Sequence, residues 1–218
     1  MVAALASVLV RAFVMQPFSV PTGSMEQTIG KQERILVSKI GTIERGEVVV
    51  FLDPGDWLEP GEDVGRVRAA LEWAGLAPSS SNDHLVKRVI GMPGDHLVCC
   101  DRDGRLTVNG HPLDEGSYLY PGDGPSQSSF DVTVPVDSMW VMGDHRSVSG
   151  DSRCHVGDGS AFVPRDLVTG RAVATVWPLT DADALGVPAT FDDVPDPENA
   201  PAEPLVVRPS SCPGGAAL

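Results

Sequence analysis

From Arg34 onward the chain is a succession of short apolar runs, and that rhythm limits the folds open to it. The runs are 35–37, 47–52 (EVVVFL), 85–90 (LVKRVI), 96–99, 106–108, 131–134, 139–142 (MWVM), 162–163 and 170–177 (GRAVATVW). Gly, Pro or turn dipeptides such as Asn109-Gly110 separate them. Runs this short suit strands, because a buried helix needs roughly ten or more residues to present an apolar face. The expected fold is therefore mainly β, a barrel or sandwich of antiparallel strands joined by tight turns.

With 218 residues, 42% of them hydrophobic, the chain can enclose one core of moderate size. Its 30 acidic and 16 basic residues give a net charge of -14. Such a surface repels nucleic acid, which is bound by clustered Lys and Arg, and it disfavours broad docking on anionic headgroups. Membrane contact must then be mainly hydrophobic. The cysteines, Cys99, Cys100, Cys154 and Cys212, have no zinc-type spacing, so no metal site is expected. Adjacent Cys99 and Cys100 are poorly placed to bridge each other. Pairing of one of them with Cys154 and free buried thiols both stay open.

The amino-terminal stretch MVAALASVLVRAFVM contains one charge, Arg11, and no acidic residue precedes Glu26. As a helix it would be about 22 Å long, against about 30 Å of bilayer hydrocarbon. It reads as a membrane anchor over 1–16, the exoplasmic part of a longer one that starts upstream. A buried helix and a cleavable signal are the alternatives, although Arg11 lies inside the apolar run and no small-x-small site follows it closely. Pro17 and Pro21 end the helix. A domain at 17–180 follows, interrupted by an expected helix at 64–76, with Val64, Val67, Leu71 and Ala74 on one face, and by a Gly/Pro/Ser loop at 118–129. The Asp-, Ala- and Pro-rich stretch 181–218 is expected to be a disordered tail.

Three places carry potential chemistry. Ser24 sits in the turn Thr22-Gly23-Ser24-Met25, where a hydroxyl is exposed and backbone N–H groups can converge; by itself such a turn is usually an ordinary loop. No GxSxG elbow is present, and none of the histidines (84, 96, 111, 145, 155) has a context that marks it as a base. Lys87 lies on a strand whose period of two puts Leu85 and Val89 on its own face. Desolvation there favours the neutral amine, the condition for a lysine general base, although an edge lysine reaching water is the plainer reading. The segment 143–153 (GDHRSVSGDSR) follows the strand MWVM and is either a turn or a hydrogen-bonded support for a site.

Taken in order, these blocks resemble the bacterial type I signal peptidases, single-lysine branch, over 13–177. QPF through Ser24-Met25 is similar to that family's nucleophile box, RGEVVVF (45–51) to its next strand, and KRVIGMPGD (87–95) to its lysine box. GDHRSVSGDSR with FVPRDLVTGRA (162–172) is similar to its last box. The resemblance implies a coiled antiparallel β-sheet or barrel catalytic core behind an N-terminal membrane-anchor helix. It implies Ser24 as nucleophile, Lys87 as base, Ser149 as the hydroxyl that orients the lysine, and Thr22 with the Ser24 amide as oxyanion donors. Val20, Pro21, Met25, Ile29, Leu85 and Val86 are implied as substrate-binding, and Arg88, Asp144, Asp151 and Arg153 as a structural charge network. The implied activity is removal of signal peptides from secretory preproteins after small-x-small sites, without cofactor, at the bacterial cell membrane. The implied topology is single-pass, with the catalytic domain on the extracytoplasmic side. Departures are Gln27 where proline is usual, His145 and Val148 where asparagines are usual, and an insertion at 154–161 (CHVGDGSA).

Overall fold

The computed structural model describes residues 14–55, 57–58, 83–197 and 199–209. It contains two antiparallel sheets. The first has the order β1-β2-β11-β3-β4-β9-β10, with β12 added to β11; the second has the order β13-β8-β5-β6-β7. In chain order the strands are β1 (Met15–Ser19), β2 (Arg34–Ser38), β3 (Val48–Leu52), β4 (His84–Gly91), β5 (His96–Cys99), β6 (Thr107–Val108) and β7 (His111–Pro112). They continue with β8 (Phe130–Thr133), β9 (Ser138–Met142), β10 (Val163–Pro164), β11 (Val168–Trp177), β12 (Asp183–Ala184) and β13 (Leu205–Arg208). Each of the nine apolar runs forms a strand in register with a neighbour, so the mainly β, antiparallel expectation stands. The sheets do not close into a barrel.

β4 is the hinge of the architecture. It pairs with β3 from Val48↔Arg88 to Leu52↔His84 on one side and with β9 through Arg88↔Met142 and Val89↔Val141 on the other. All its residues after His84 are buried. Flanked by strands on both edges, β4 can bury charged side chains only where partners or chemistry compensate. Three apolar clusters lie around the sheets. The first surrounds Trp140, Phe130 and Leu97, the second Phe18, Met25 and Ile29, and the third Phe51, Val89 and Val141.

The anchor expected over 1–16 lies mostly outside the described residues, and its last two positions belong elsewhere. Met15 and Gln16 open β1, which pairs with β2 from Met15↔Ser38 to Ser19↔Arg34. Strand pairing begins before Pro17 because Pro17 lies in an edge strand, where its missing N–H costs no ladder bond. Among the described residues no helix is long and apolar enough to cross a membrane. The helix expected at 64–76 also lies outside the described residues.

The stretch expected to be a disordered tail over 181–218 is ordered wherever it is described. β12 pairs with β11, and β13 pairs with β8. Between them Phe191 and Val194 are buried in the first cluster. Gly46, at φ 82°, leaves room for the Phe191 ring, which a Cβ there would strike. Docking onto a finished surface, not local periodicity, orders this acidic segment.

The cysteines also differ from expectation. Cys99 is bridged to Cys100, across a cis peptide that brings their Cα atoms to 2.9 Å. Cys154 is disulfide-bonded too, so it pairs with neither of them.

Candidate active site

The turn after β1 carries Ser24. Its backbone is pinned by Glu26 N–H to Gly23 C=O (3.1 Å) and Ile29 N–H to Met25 C=O (2.8 Å). Gln27 sits at φ 88°, which proline cannot adopt, so this departure from the usual box matches the path of the turn. The Ser24 carbonyl accepts from the His145 N–H at 3.0 Å, which ties the turn to the segment after β9. At that junction a Cβ on Gly143 would collide with the Ser149 hydroxyl and the Ser24 carbonyl. Glycine is required there by close approach alone.

β4 brings Lys87 to the same point. Its Nζ lies 2.8 Å from Ser24 Oγ, and both side chains are buried. Burial lowers the amine from 10.5 to about 8; the Arg153 charge adds to this, while Asp151 and Asp144 oppose it. Among the described residues no carboxylate forms an ion pair with Lys87. Thr22 Oγ1 lies 3.4 Å from Ser24 Oγ. Ser149 is buried next to Gly143, and its hydroxyl sits on the Asp151 side, where it helps hold that carboxyl charged; it makes no hydrogen bond to Lys87.

A cavity of about 50 Å³ opens beside Lys87. It is lined by Val20, Pro21, Thr22, Leu58, His84, Leu85 and Val86. Four of the six expected substrate-binding residues meet there. Met25 and Ile29 do not; both are fully buried in the apolar cluster behind the turn, with Phe18 and Ile35. His84, which no sequence signal marks out from the other histidines, packs its ring against Phe18, and burial lowers its pKa. Leu58 is the other addition.

Buried ion pairs lie around the site, and they extend beyond the four residues named from sequence. Arg88 makes a two-bond pair with Asp144 (2.9 and 2.6 Å) and donates to the Gly46 carbonyl and Thr28. Its guanidinium lies 4.5 Å from the centre of the Tyr118 ring. Arg153 pairs with Asp151 through two bonds of 2.8 Å, and Asp151 also accepts the Gly143 N–H. Burial would raise the Asp151 carboxyl, but the Arg153 charge and these hydrogen bonds hold it below its ordinary value. The sequence did not reveal Arg146, which pairs with buried Glu115 at 2.6 Å and donates to the Gly143 carbonyl at 2.8 Å. Nor did it reveal Arg45 with Asp95. These partners lie 31 and 50 residues apart, and nothing local pairs them. Among the described residues no cluster of His, Cys, Asp and Glu is arranged to hold a metal ion.

A buried amine with a lowered pKa in contact with a serine hydroxyl is equipped to remove the serine proton near neutral pH. Comparison with known proteins shows the family. The family model described as signal peptidase, peptidase S26, matches residues 1–177. The chain is 38% identical to a probable signal peptidase I of Mycobacterium leprae, over 80% of this chain and 72% of that one. It is 36% identical to a signal peptidase I of Mycobacterium tuberculosis, over 76% of this chain and 66% of that one. A crystal structure of a signal peptidase I from Enterococcus faecalis is similar at 24% identity and a TM-score of 0.39, over 61% of this chain and 97% of that one.

Proposed function

The chain belongs to the signal peptidase family, peptidase S26, and from that premise we propose that it removes signal peptides from secretory preproteins with Ser24 as nucleophile and Lys87 as general base. The observation that carries the reading is the 2.8 Å contact between Lys87 Nζ and Ser24 Oγ in a buried site. When the amine is neutral, the serine hydroxyl donates to it along the same line.

The steps balance as acyl transfer. Ser24 Oγ bonds to the carbonyl carbon before the scissile bond as its proton passes to Lys87. The carbonyl oxygen takes the negative charge beside the Thr22 hydroxyl and the Ser24 N–H, each donor contributing about 3 kcal/mol. As the C–N bond breaks, Lys87 returns the proton to the departing amine. It then takes a proton from water, whose oxygen attacks the ester carbon and releases Ser24. Ser149, buried between Gly143 and Asp151, is the hydroxyl that would orient the lysine amine.

Specificity for small-x-small sites is supported by the small, mostly apolar cavity next to Lys87. The site works at the extracytoplasmic face of the bacterial membrane, with the apolar stretch before Met15 as a single-pass anchor. That placement confines enzyme and substrate to one plane. Incubating Ser24→Ala and Lys87→Ala with a preprotein tests the dyad, and unimpaired processing by either variant would falsify it.

A further inference from the structure

The cavity beside Lys87 is built from two expected segments, Val20 to Thr22 and β4, and from one residue outside both, Leu58. Leu58 is held there by a compact support. Asp53 accepts three backbone N–H groups, from Gly55 (2.9 Å), Trp57 (3.0 Å) and Leu58 (2.9 Å), which folds the chain after β3 into a tight turn. Trp57 is buried, with its ring edge on Phe51. Its other contacts come from the insertion at 154–161. His155 stacks on the indole at 4.4 Å and 8°, and Ser160 Oγ accepts from Nε1 at 2.9 Å. Asp158 braces both, bonding His155 at 2.9 Å and Ser160 at 2.7 Å. A segment that departs from the family pattern thus ends against the residue next to a wall of the cavity.

We propose that Leu58 is a specificity-determining residue for the peptide, and that the 154–161 insertion positions it through Trp57. Its branched side chain forms part of the wall of this small cavity, so only a small side chain on the acyl side of the scissile bond fits. Leu58 touches the bound peptide; His155 and Ser160 act through Trp57 and are positioning residues. The assignment rests on Ser24 and Lys87 being the reacting pair, because that contact identifies the cavity as the peptide's.

The test uses peptides with Ala, Val or Leu at the first or third residue before the scissile bond, varied one at a time. Leu58→Ala is expected to raise kcat/KM for Val or Leu relative to Ala about tenfold at one of these positions, mostly through KM. Leu58→Phe is expected to lower kcat/KM even for Ala by a similar factor. The pair His155→Ala and Ser160→Ala moves the ratio in the same direction as Leu58→Ala, by about threefold. A loss of stability alone slows all peptides together and leaves the ratio unchanged. Ratios within about twofold of the parent at both positions in Leu58→Ala overturn the assignment. Cleavage that survives in Ser24→Ala overturns the dyad beneath it instead, so the two failures are distinct.

Discussion

Lys87 and Arg88 are consecutive on β4 and almost equally buried, 2% and 1% exposed, but their surroundings are opposite. Arg88 has a carboxylate on two of its nitrogens, a carbonyl on the third and an aromatic face above. Lys87 has a serine hydroxyl and apolar neighbours. One strand therefore carries a cation whose charge is fully answered and one whose charge is discouraged. The first is architecture, since breaking such a pair strands its partner. The second is available for proton transfer, because its neutral form is within reach at ordinary pH. The residue types follow: arginine keeps its charge, and lysine can lose it.

The largest effect expected from this contrast is on Lys87. Lys87→Met and Lys87→Arg should each lower kcat/KM by about 10⁴-fold or more, since neither side chain accepts a proton. Lys87→Met should at the same time raise the unfolding free energy, because a poorly compensated buried amine is gone. Denaturant melts of both variants check this, and a destabilised Lys87→Met would break the comparison. On the other face, Arg88→Met should cost about 3–5 kcal/mol by leaving Asp144 buried without its cation, a loss visible in the same melts. Thr22→Val follows, with about a 10²-fold loss in kcat at unchanged stability if its hydroxyl serves the oxyanion.

The pH response separates the two cations further. The folded Lys87 pKa, about 8, lies below its ordinary value of 10.5, so between these values the unfolded chain binds more protons than the folded one. Stability from this group therefore rises from pH 8 to 10.5, and kcat/KM rises with pH up to about 8. Comparing melts of the parent and Lys87→Met across that window isolates the rise, which should vanish in the variant. The smallest effect belongs to His145→Ala. It removes a 3.1 Å contact with Glu26 and a stack on Tyr120, both near the surface, and should cost about 1 kcal/mol or less.

How much of this was legible from sequence follows the range of the forces involved. Strands announce themselves locally, so the runs at 85–90 and 139–142 became β4 and β9 with boundaries within a residue or so. Lys87 was visible because Leu85 and Val89 flank it on the same period. β1 was not, since its first residues continue an apolar run that also fits a helix. Leu58 and Arg146 were not either, because one depends on an indole braced by residues about a hundred positions away and the other on Glu115. Met25 and Ile29 were assigned to the substrate from their place in a motif. The motif does not say which side of the turn faces the peptide, and both lie in the same apolar cluster as Val20, which does line the cavity.

Residues 181–208 cross from the first sheet, at β12, to the second, at β13, and every strand they pair with precedes them in the chain. Time enters the architecture at this point. A chain that emerges or is delivered from its amino end presents both sheets, and the residues around Ser24 and Lys87, before this segment arrives. Because it pairs only with strands that precede it, the segment lies across them as a clasp. It should also be the first part to lift, exposing Phe191 and Val194 while Ser24 and Lys87 stay in contact.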